Sequence, residues 1–356
     1  MDAIHAQLRA ERLIPPDAAP PGTELPHPAD AASLADRAAG SLVAGAIGDA
    51  LGRPREGARA PSFSPSDERW LKDFVPIRGW AGPVGVITDD TQLTIEVAET
   101  LIGRGHVDPE ELSRRLIVWL PNGRGKGQAT TEAVYRLMSG ESWHTAGTPS
   151  AGNGAAMRVA PIGIARHQDI GRLRVDAALS ALPTHRDATA VRSAILMAYA
   201  TAWAMTRDPA SIDRDVAAEE LGSALARVVA DLEGERLADR QPDVSTRPVL
   251  LEERIGEWLV ESALEPSDVL GRRYSGAFVL ESLPAALWCF VHAVDDPERA
   301  IEIAANTTRD SDTVAAMTGN LAGALHGYSA LPERWTADVE EHDRLVALAG
   351  QLVQMA

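Results

Sequence analysis

Apolar residues recur at helical spacing along most of this 356-residue chain. No sustained two-residue alternation of the kind that marks a half-buried strand appears. Residues 1–13 are spaced as one amphipathic helix. Pro15, Pro16, Pro20, Pro21, Pro26 and Pro28 then forbid regular structure up to about residue 29, so residues 1–29 are expected to be a Pro-rich N-terminal arm ahead of a body at 30–356. From Asp30, apolar positions at Leu34, Ala38, Leu42, Ala46 and Ala50 define a helix, and a breaker-rich loop carrying five prolines follows at 52–85. Helices are expected at 91–102, 109–119, 130–138, 187–205, 217–232, 250–264, 277–291, 297–305, 313–325 and 339–355. Residues 208–249, with an acidic and polar stretch at 233–246, are expected to form a surface insertion. The pattern gives an all-α class.

Composition changes the picture in three ways. Hydrophobic residues reach 45% but aromatics only 4%, so the core is built from Ala, Leu, Val and Ile, whose small side chains suit close helix packing. A net charge of −17 disfavours bulk contact with nucleic acid or an anionic membrane, while leaving room for a small phosphate ligand held by backbone amides and bound metal. The single cysteine, Cys289, cannot form an internal disulfide. With no secretory pattern and no apolar run of roughly 18 residues, the chain is expected to be cytoplasmic.

Two acidic clusters carry the candidate chemistry, Thr88-Asp89-Asp90 and Asp310-Ser311-Asp312-Thr313. Each falls where a helix begins. Asp, Ser and Thr cap helices at such places, but crowded carboxylates and hydroxyls are also the ligand set for Mg²⁺ or Mn²⁺. The DDxxD pattern of prenyl-diphosphate enzymes fails, since Thr94 stands where its last Asp would be.

Glycine loops at 123–127 and 150–154, the second running on to Met157 and Arg158, expose backbone amides that suit a diphosphate or simply turn the chain. Neither matches a Walker motif. His185 lies just ahead of Asp187, a natural N-cap, and is within reach of a ribose or phosphate. Phe278 is placed to stack on a base or to fill core. Glu56 follows the glycine-rich helix in a Gly/Pro loop, as an exposed acid.

Taken in order, GSLVAGAIGDALG with Glu56, ITDDTQLT, SAGNGAAMRVAPIG, THRDATAV, GAFVLESLPAALW and DSDTVAAMTGNLAGALHG resemble the ADP-ribosylglycohydrolases, over roughly residues 35–330. This group includes the dinitrogenase reductase-activating glycohydrolase and the ADP-ribosylarginine and ADP-ribosylserine hydrolases. The resemblance implies an orthogonal helical domain around a binuclear Mg²⁺ or Mn²⁺ site. Thr88, Asp89, Asp90, Asp310, Asp312 and Thr313 would be its ligands, with Asp312 placed to touch both ions. Glu56, Asp90 and Asp310 are the candidate catalytic carboxylates. Gly127, Ser150, Gly152, Asn153, Gly154 and Met157 would hold the diphosphate and ribose, and His185 and Phe278 would lie near the distal ribose and adenine.

Hydrolysis at an anomeric carbon needs an activated water and stabilised ribose charge, which a pair of ions about 3.5–4 Å apart can supply. Arginine-directed relatives carry an acid just before the glycine matching Gly127, where this chain has Gly125 and Lys126; Glu56 or an acid of the 52–85 loop would take over that role. The expected function is release of ADP-ribose from modified side chains, arginine slightly ahead of serine or a small ester. The alternatives are an immunity-type protein whose N-terminal arm blocks a toxin ADP-ribosyltransferase, and a metal-dependent phosphohydrolase acting on a nucleotide diphosphate.

Overall fold

The computed structural model describes residues 2–27, 30–58, 68–76, 82–232 and 249–356. Its α-helices are α1 (Asp2–Ala10), α2 (Ala31–Gly52), α3 (Asp89–Arg104), α4 (Pro109–Trp119), α5 (Gln128–Met138), α6 (Trp143–Ala146), α7 (Ala160–Ala165), α8 (Ile170–Ala181) and α9 (Ala188–Met205). These are followed by α10 (Arg214–Val228), α11 (Leu251–Leu259), α12 (Pro266–Val269), α13 (Val279–His292), α14 (Pro297–Ala305), α15 (Ser311–His326), α16 (Glu333–Thr336) and α17 (His342–Val353). No strand occurs among the described residues; two isolated bridges, Thr148 with His185 and Gly152 with Phe278, are the extent of β pairing. The all-α expectation holds.

Small residues set the centre. Helix α2 is buried on every side from Ala38 to Gly52 and packs antiparallel on α15. A Cβ at Gly40, Gly48 or Gly52 would strike the backbone of α15 at Gly323, Ala315 or Ser311, and one at Gly319 or Gly323 would strike α2 in return. Because the two backbones touch, Ser311 Oγ donates to Gly52 O at 2.9 Å and Ser41 Oγ donates to Asn320 O at 2.9 Å. Glycine meets backbone along most of the pairing and the Asn320 side chain at Gly45, so close backbone approach sets the register. Its consequence is positional: the start of α15 lies beside the last turn of α2.

Helix α8 escaped the periodicity because Arg174 and Asp176 interrupt its apolar stripe, yet both are buried. Their charges are matched. Asp176 accepts from Arg166 Nε at 2.9 Å and from Val107 N at 3.0 Å, and Arg174 donates to Ala18 O at 2.9 Å and pairs with Asp231. The short helices α6, α7, α12 and α16 also went unpredicted, and the helix expected at 277–291 starts two residues later because Phe278 is its extended N-cap.

Within 208–249, α10 buries Ala217, Leu221, Leu225 and Val228; the acidic stretch 233–246 lies outside the described residues, as do positions 59–67 and 77–81 of the 52–85 loop. The N-terminal segment is seated on the body. Leu8, Leu13 and Ile14 are buried, Tyr199 donates its hydroxyl to Thr23 O at 3.0 Å, and Glu11 pairs with Arg186. The large apolar side chains of the described segment, Ile4 and Leu25 included, are packed on this chain's own core. No helix of the described residues is long and apolar enough to cross a membrane.

Candidate active site

The two acidic clusters meet because Asp49, in the last turn of α2, holds the start of α3. Its buried carboxylate accepts from Thr88 N at 2.8 Å, Thr88 Oγ1 at 2.7 Å, Thr91 N at 3.2 Å and Thr91 Oγ1 at 2.6 Å. Asp49 thereby does what an N-cap does, from another helix. Thr88 and Asp310 occupy the N-cap positions of α3 and α15, and neither makes a side-chain capping bond. Elsewhere Asp30, Asp108, Asp169, Asp187, Asp213 and Asp296 cap their helices in the ordinary way. The cap reading fails for the clusters and holds for Asp187.

Freed from capping, the acids crowd one another. Asp90 Oδ1 is buried with no hydrogen-bond partner. Its other oxygen lies 3.2 Å from Thr88 Oγ1, whose proton is directed to Asp49 by the shorter contact, so two lone-pair-bearing oxygens face each other. Glu56, Asp310 and Asp312 bring one carboxylate oxygen each within 4.8 Å of the others. Burial, with the charges of Asp49 and Asp310, pushes the Asp89 carboxyl up to about 8, against the pull of Gly127 N–H. Burial and neighbouring carboxylates likewise raise Asp90 and Asp312 well above the ordinary range. Asp310 and Asp49 are raised by burial, opposed by their hydrogen bonds. Arg53, ion-paired to Glu56 and 3.5 Å from Asp312 Oδ2, and the buried Arg158 act on this cluster as positive charges. Two cations do not neutralise five crowded aspartates. An orphaned buried carboxylate oxygen among acids raised by burial, and in Asp89, Asp90 and Asp312 also by neighbouring carboxylates, fits a hard divalent cation, for which oxygen donors of this type are the natural shell.

The acids form the floor of a cavity of about 430 Å³. Glu56, Asp89, Asp90, Gly127, Ser150, Gly152, Asn153, Gly154, Met157, His185, Phe278, Asp310, Asp312 and Thr313 all line it; Thr88 stands behind them. The 150–154 loop is stitched on both sides. Asn153 N donates to Ala277 O and Val279 N to Ala151 O at 2.9 and 3.0 Å, while Thr148 N donates to Thr184 O and Arg186 N to Thr148 O at 3.0 and 2.8 Å. Asn153 Nδ2 reaches Asp310 Oδ2 at 2.5 Å, tying this wall to the acids. Glycine is required at 154, where a Cβ would sit 2.8 Å from His185 Cε1. Opposite, α5 begins at Gly127 without a side-chain cap, and Gln128, Ala129 and Thr130 at its start also line the cavity. Lys126 turns its ammonium toward Leu120 O at 3.2 Å.

Sequence reasoning missed Asp49 and Arg53. Asp49 carried a signal, as the single acid in the apolar, glycine-rich stretch 38–52. Arg53 carried none, because its contact with the acid cluster, through Asp312, is fixed only once α15 is in place.

Residues 30–356 match the model of the ADP-ribosylglycohydrolase family. The chain is 30% identical to the ADP-ribosylarginine hydrolase Tri1 of Serratia proteamaculans, over 90% of this chain and 80% of that one. It is 27% identical to the human ADP-ribosylhydrolase ARH3, over 90% and 94%. A solved structure, an ADP-ribosylglycohydrolase-related protein complex, superposes with a TM-score of 0.69 at 27% identity, covering 91% of this chain and 99% of that one.

Proposed function

Since the chain belongs to the ADP-ribosylglycohydrolase family, we propose that it hydrolyses the glycosidic bond joining ADP-ribose to a protein side chain, with arginine the favoured acceptor. The observation that carries this reading is the single cavity in which an acid cluster faces an amide-rich loop and helix start. A diphosphate is attracted to the second and repelled by the first, so the ligand must lie with its anionic centre toward 127–130 and 150–154 and its reacting ribose over the acids. Two relatives named for ADP-ribosylarginine, at 30% and 29% identity, support the acceptor.

Asp89, Asp90, Asp310 and Asp312, with the Thr88 and Thr313 hydroxyls, would hold two Mg²⁺ or Mn²⁺ ions. When bound, these ions supply positive charge that orients the ribose hydroxyls and makes a neighbouring water more acidic. Asp49 accepts the hydrogen bond of the Thr88 hydroxyl, which leaves the threonine lone pairs for ligation. Gly127, Ser150, Gly152, Asn153, Gly154 and Met157 embrace the diphosphate and ribose, and Phe278, half-buried at the cavity wall, packs on the adenine. The bond between C1 of the ribose and the acceptor atom breaks as a water oxygen bonds to that carbon. Glu56, exposed at the mouth and tethered by Arg53, accepts one proton of the water at its carboxylate and returns a proton to the departing acceptor atom, leaving ADP-ribose and the unmodified side chain. Asp90 or Asp310 can share that proton traffic. Glu56 also stands in for the acid that Lys126 replaces, by facing an incoming guanidinium.

A panel of arginine-, serine- and cysteine-linked ADP-ribosyl substrates, with and without EDTA, tests the reading. Free ADP-ribose from the arginine conjugate, abolished by EDTA and restored by Mg²⁺ or Mn²⁺, is expected. AMP plus ribose phosphate as products would show attack at phosphorus instead, and EDTA-resistant turnover would remove the ions from the reaction.

A further inference from the structure

Behind His185 lies a buried polar chain that the reaction, as described, does not use. Arg158 has no solvent exposure; its Nη2 donates to Thr184 Oγ1 at 2.8 Å and to Ser180 O at 2.5 Å, while its Nε and Nη1 have no partner. Thr184 Oγ1 in turn lies 2.8 Å from His185 Nδ1, and 3.3 Å from Ala181 O. The other edge of the imidazole lies along the cavity wall, where a Cβ added at Gly152 or Gly154 would come within 3.3 or 3.2 Å of Nε2.

Hydrogen-bond direction through this chain turns on where the single Thr184 hydroxyl proton goes, to His185 Nδ1 or to Ala181 O, and the contact lengths favour the histidine. A guanidinium only donates, so the threonine oxygen accepts from Arg158 and has a single proton to give. Of its two acceptors, His185 Nδ1 is closer by half an ångström, and a neutral imidazole that accepts at Nδ1 carries its proton at Nε2. The imidazole is neutral here, since burial and the charge of Arg158 push it down to about 3.

We propose that Arg158 and Thr184 are positioning residues that lock His185 in its Nε2-protonated tautomer, so that the ring presents a hydrogen-bond donor to an oxygen of bound ADP-ribose. The identity of the ligand rests on the proposed function above; the tautomer does not. The histidine then serves neither as base nor as cation. Its donor is aimed without a carboxylate, which in this cavity would add to the acid load and repel a diphosphate. The buried guanidinium supplies the polarity and keeps the second ring nitrogen unprotonated.

The test uses the full chain labelled with ¹⁵N-histidine, with the His185 signals assigned by their loss in His185→Gln. Two-bond ¹H–¹⁵N correlations then report which ring nitrogen carries the proton, and calorimetry with Mg²⁺ present reports ADP-ribose binding. The wild-type ring is expected as the Nε2–H form. Thr184→Val should shift it toward the Nδ1–H form and weaken ADP-ribose about tenfold, the scale of one hydrogen bond in a buried site. Thr184→Ser, which keeps the hydroxyl, should restore both. A wild-type Nδ1–H ring overturns the proposal, as does a Thr184→Val protein whose tautomer and ADP-ribose affinity match the wild type. If ADP-ribose binds as expected and no conjugate is cleaved, the hydrolase reading fails while the relay stands.

Discussion

At the scale of single residues, the site depends on one carboxylate that never faces the cavity. Asp49 receives two backbone amides and two hydroxyls, and an amide in its place has one acceptor oxygen and a donor group turned toward donors. Asp49→Asn is therefore expected to lower stability by about 1–3 kcal/mol, the cost of leaving buried polar groups unmatched. Asp30→Asn, at an exposed cap where the two residues are nearly equivalent, should change little. Urea midpoints compare them directly, and equal effects would end the argument for Asp49 as an organising residue. Asp310→Ala should cut hydrolysis by about two to three orders of magnitude, as removal of one electrostatic stabiliser does. Its cost in folding should be smaller than that of Asp49→Asn, because the lost bonds from Asn153 and Thr313 are offset by relief of the repulsion that Asp310 exerts on Asp89, Asp90 and Asp312. The clusters were legible in the sequence since each is a local string of ligand-type side chains. The role of Asp49 was not, because an acid in an apolar stretch marks a position but its bonds span 39 and 42 positions and no local pattern names its partners.

At the scale of elements, the α2–α15 contact carries the geometry, and it is made of glycine. Gly48→Ala would drive a methyl group into the Ala315 carbonyl, with backbone rather than a flexible side chain in the way. A loss of about 1–3 kcal/mol is expected from overpacking, together with weakened cation binding, since the start of α15 would be pushed from Asp49. Gly256→Ala, within α11 and with nothing near the added carbon, should instead gain about 0.5–1 kcal/mol from helix propensity. Thermal unfolding of the pair separates contact from propensity; two changes of the same sign would mean the α2 glycines are not close-packed. Long helices such as α2, α9 and α15 were legible through their periodicity. Helix α8 was hidden because Arg174 and Asp176 look like surface residues until their partners at Ala18, Asp231, Arg166 and Val107 arrive from elsewhere in the chain. The pairing of 150–154 with 277–279 was equally invisible, as backbone bonds between loops leave no trace in side-chain pattern.

Over the whole molecule, the acid cluster makes stability a function of pH and of cation. Asp89 is held at about 8 in the fold against about 3.9 in an unfolded chain, and Asp90 and Asp312 are raised in the same direction. Between these values the folded protein keeps protons that the unfolded chain has released. The unfolded state thus binds fewer protons, and stability must fall as pH rises through that window. A cation reverses the trend: it binds the ionised acids, competes with their protons, and stabilises the fold by mass action. In EDTA the melting temperature is expected to drop steadily from pH 5 to pH 8. In excess Mg²⁺ or Mn²⁺ the drop should shrink, so that the stabilisation by metal is largest at pH 8 and nearly absent at pH 5. Asp90→Asn, which removes one of the strained charges and one ligand together, should flatten the EDTA profile and lower the metal-induced gain at pH 8. A scanning-calorimetry grid of pH against metal reads all three effects. A metal gain that is the same at pH 5 and pH 8 would mean that the cation binds somewhere other than among these buried aspartates.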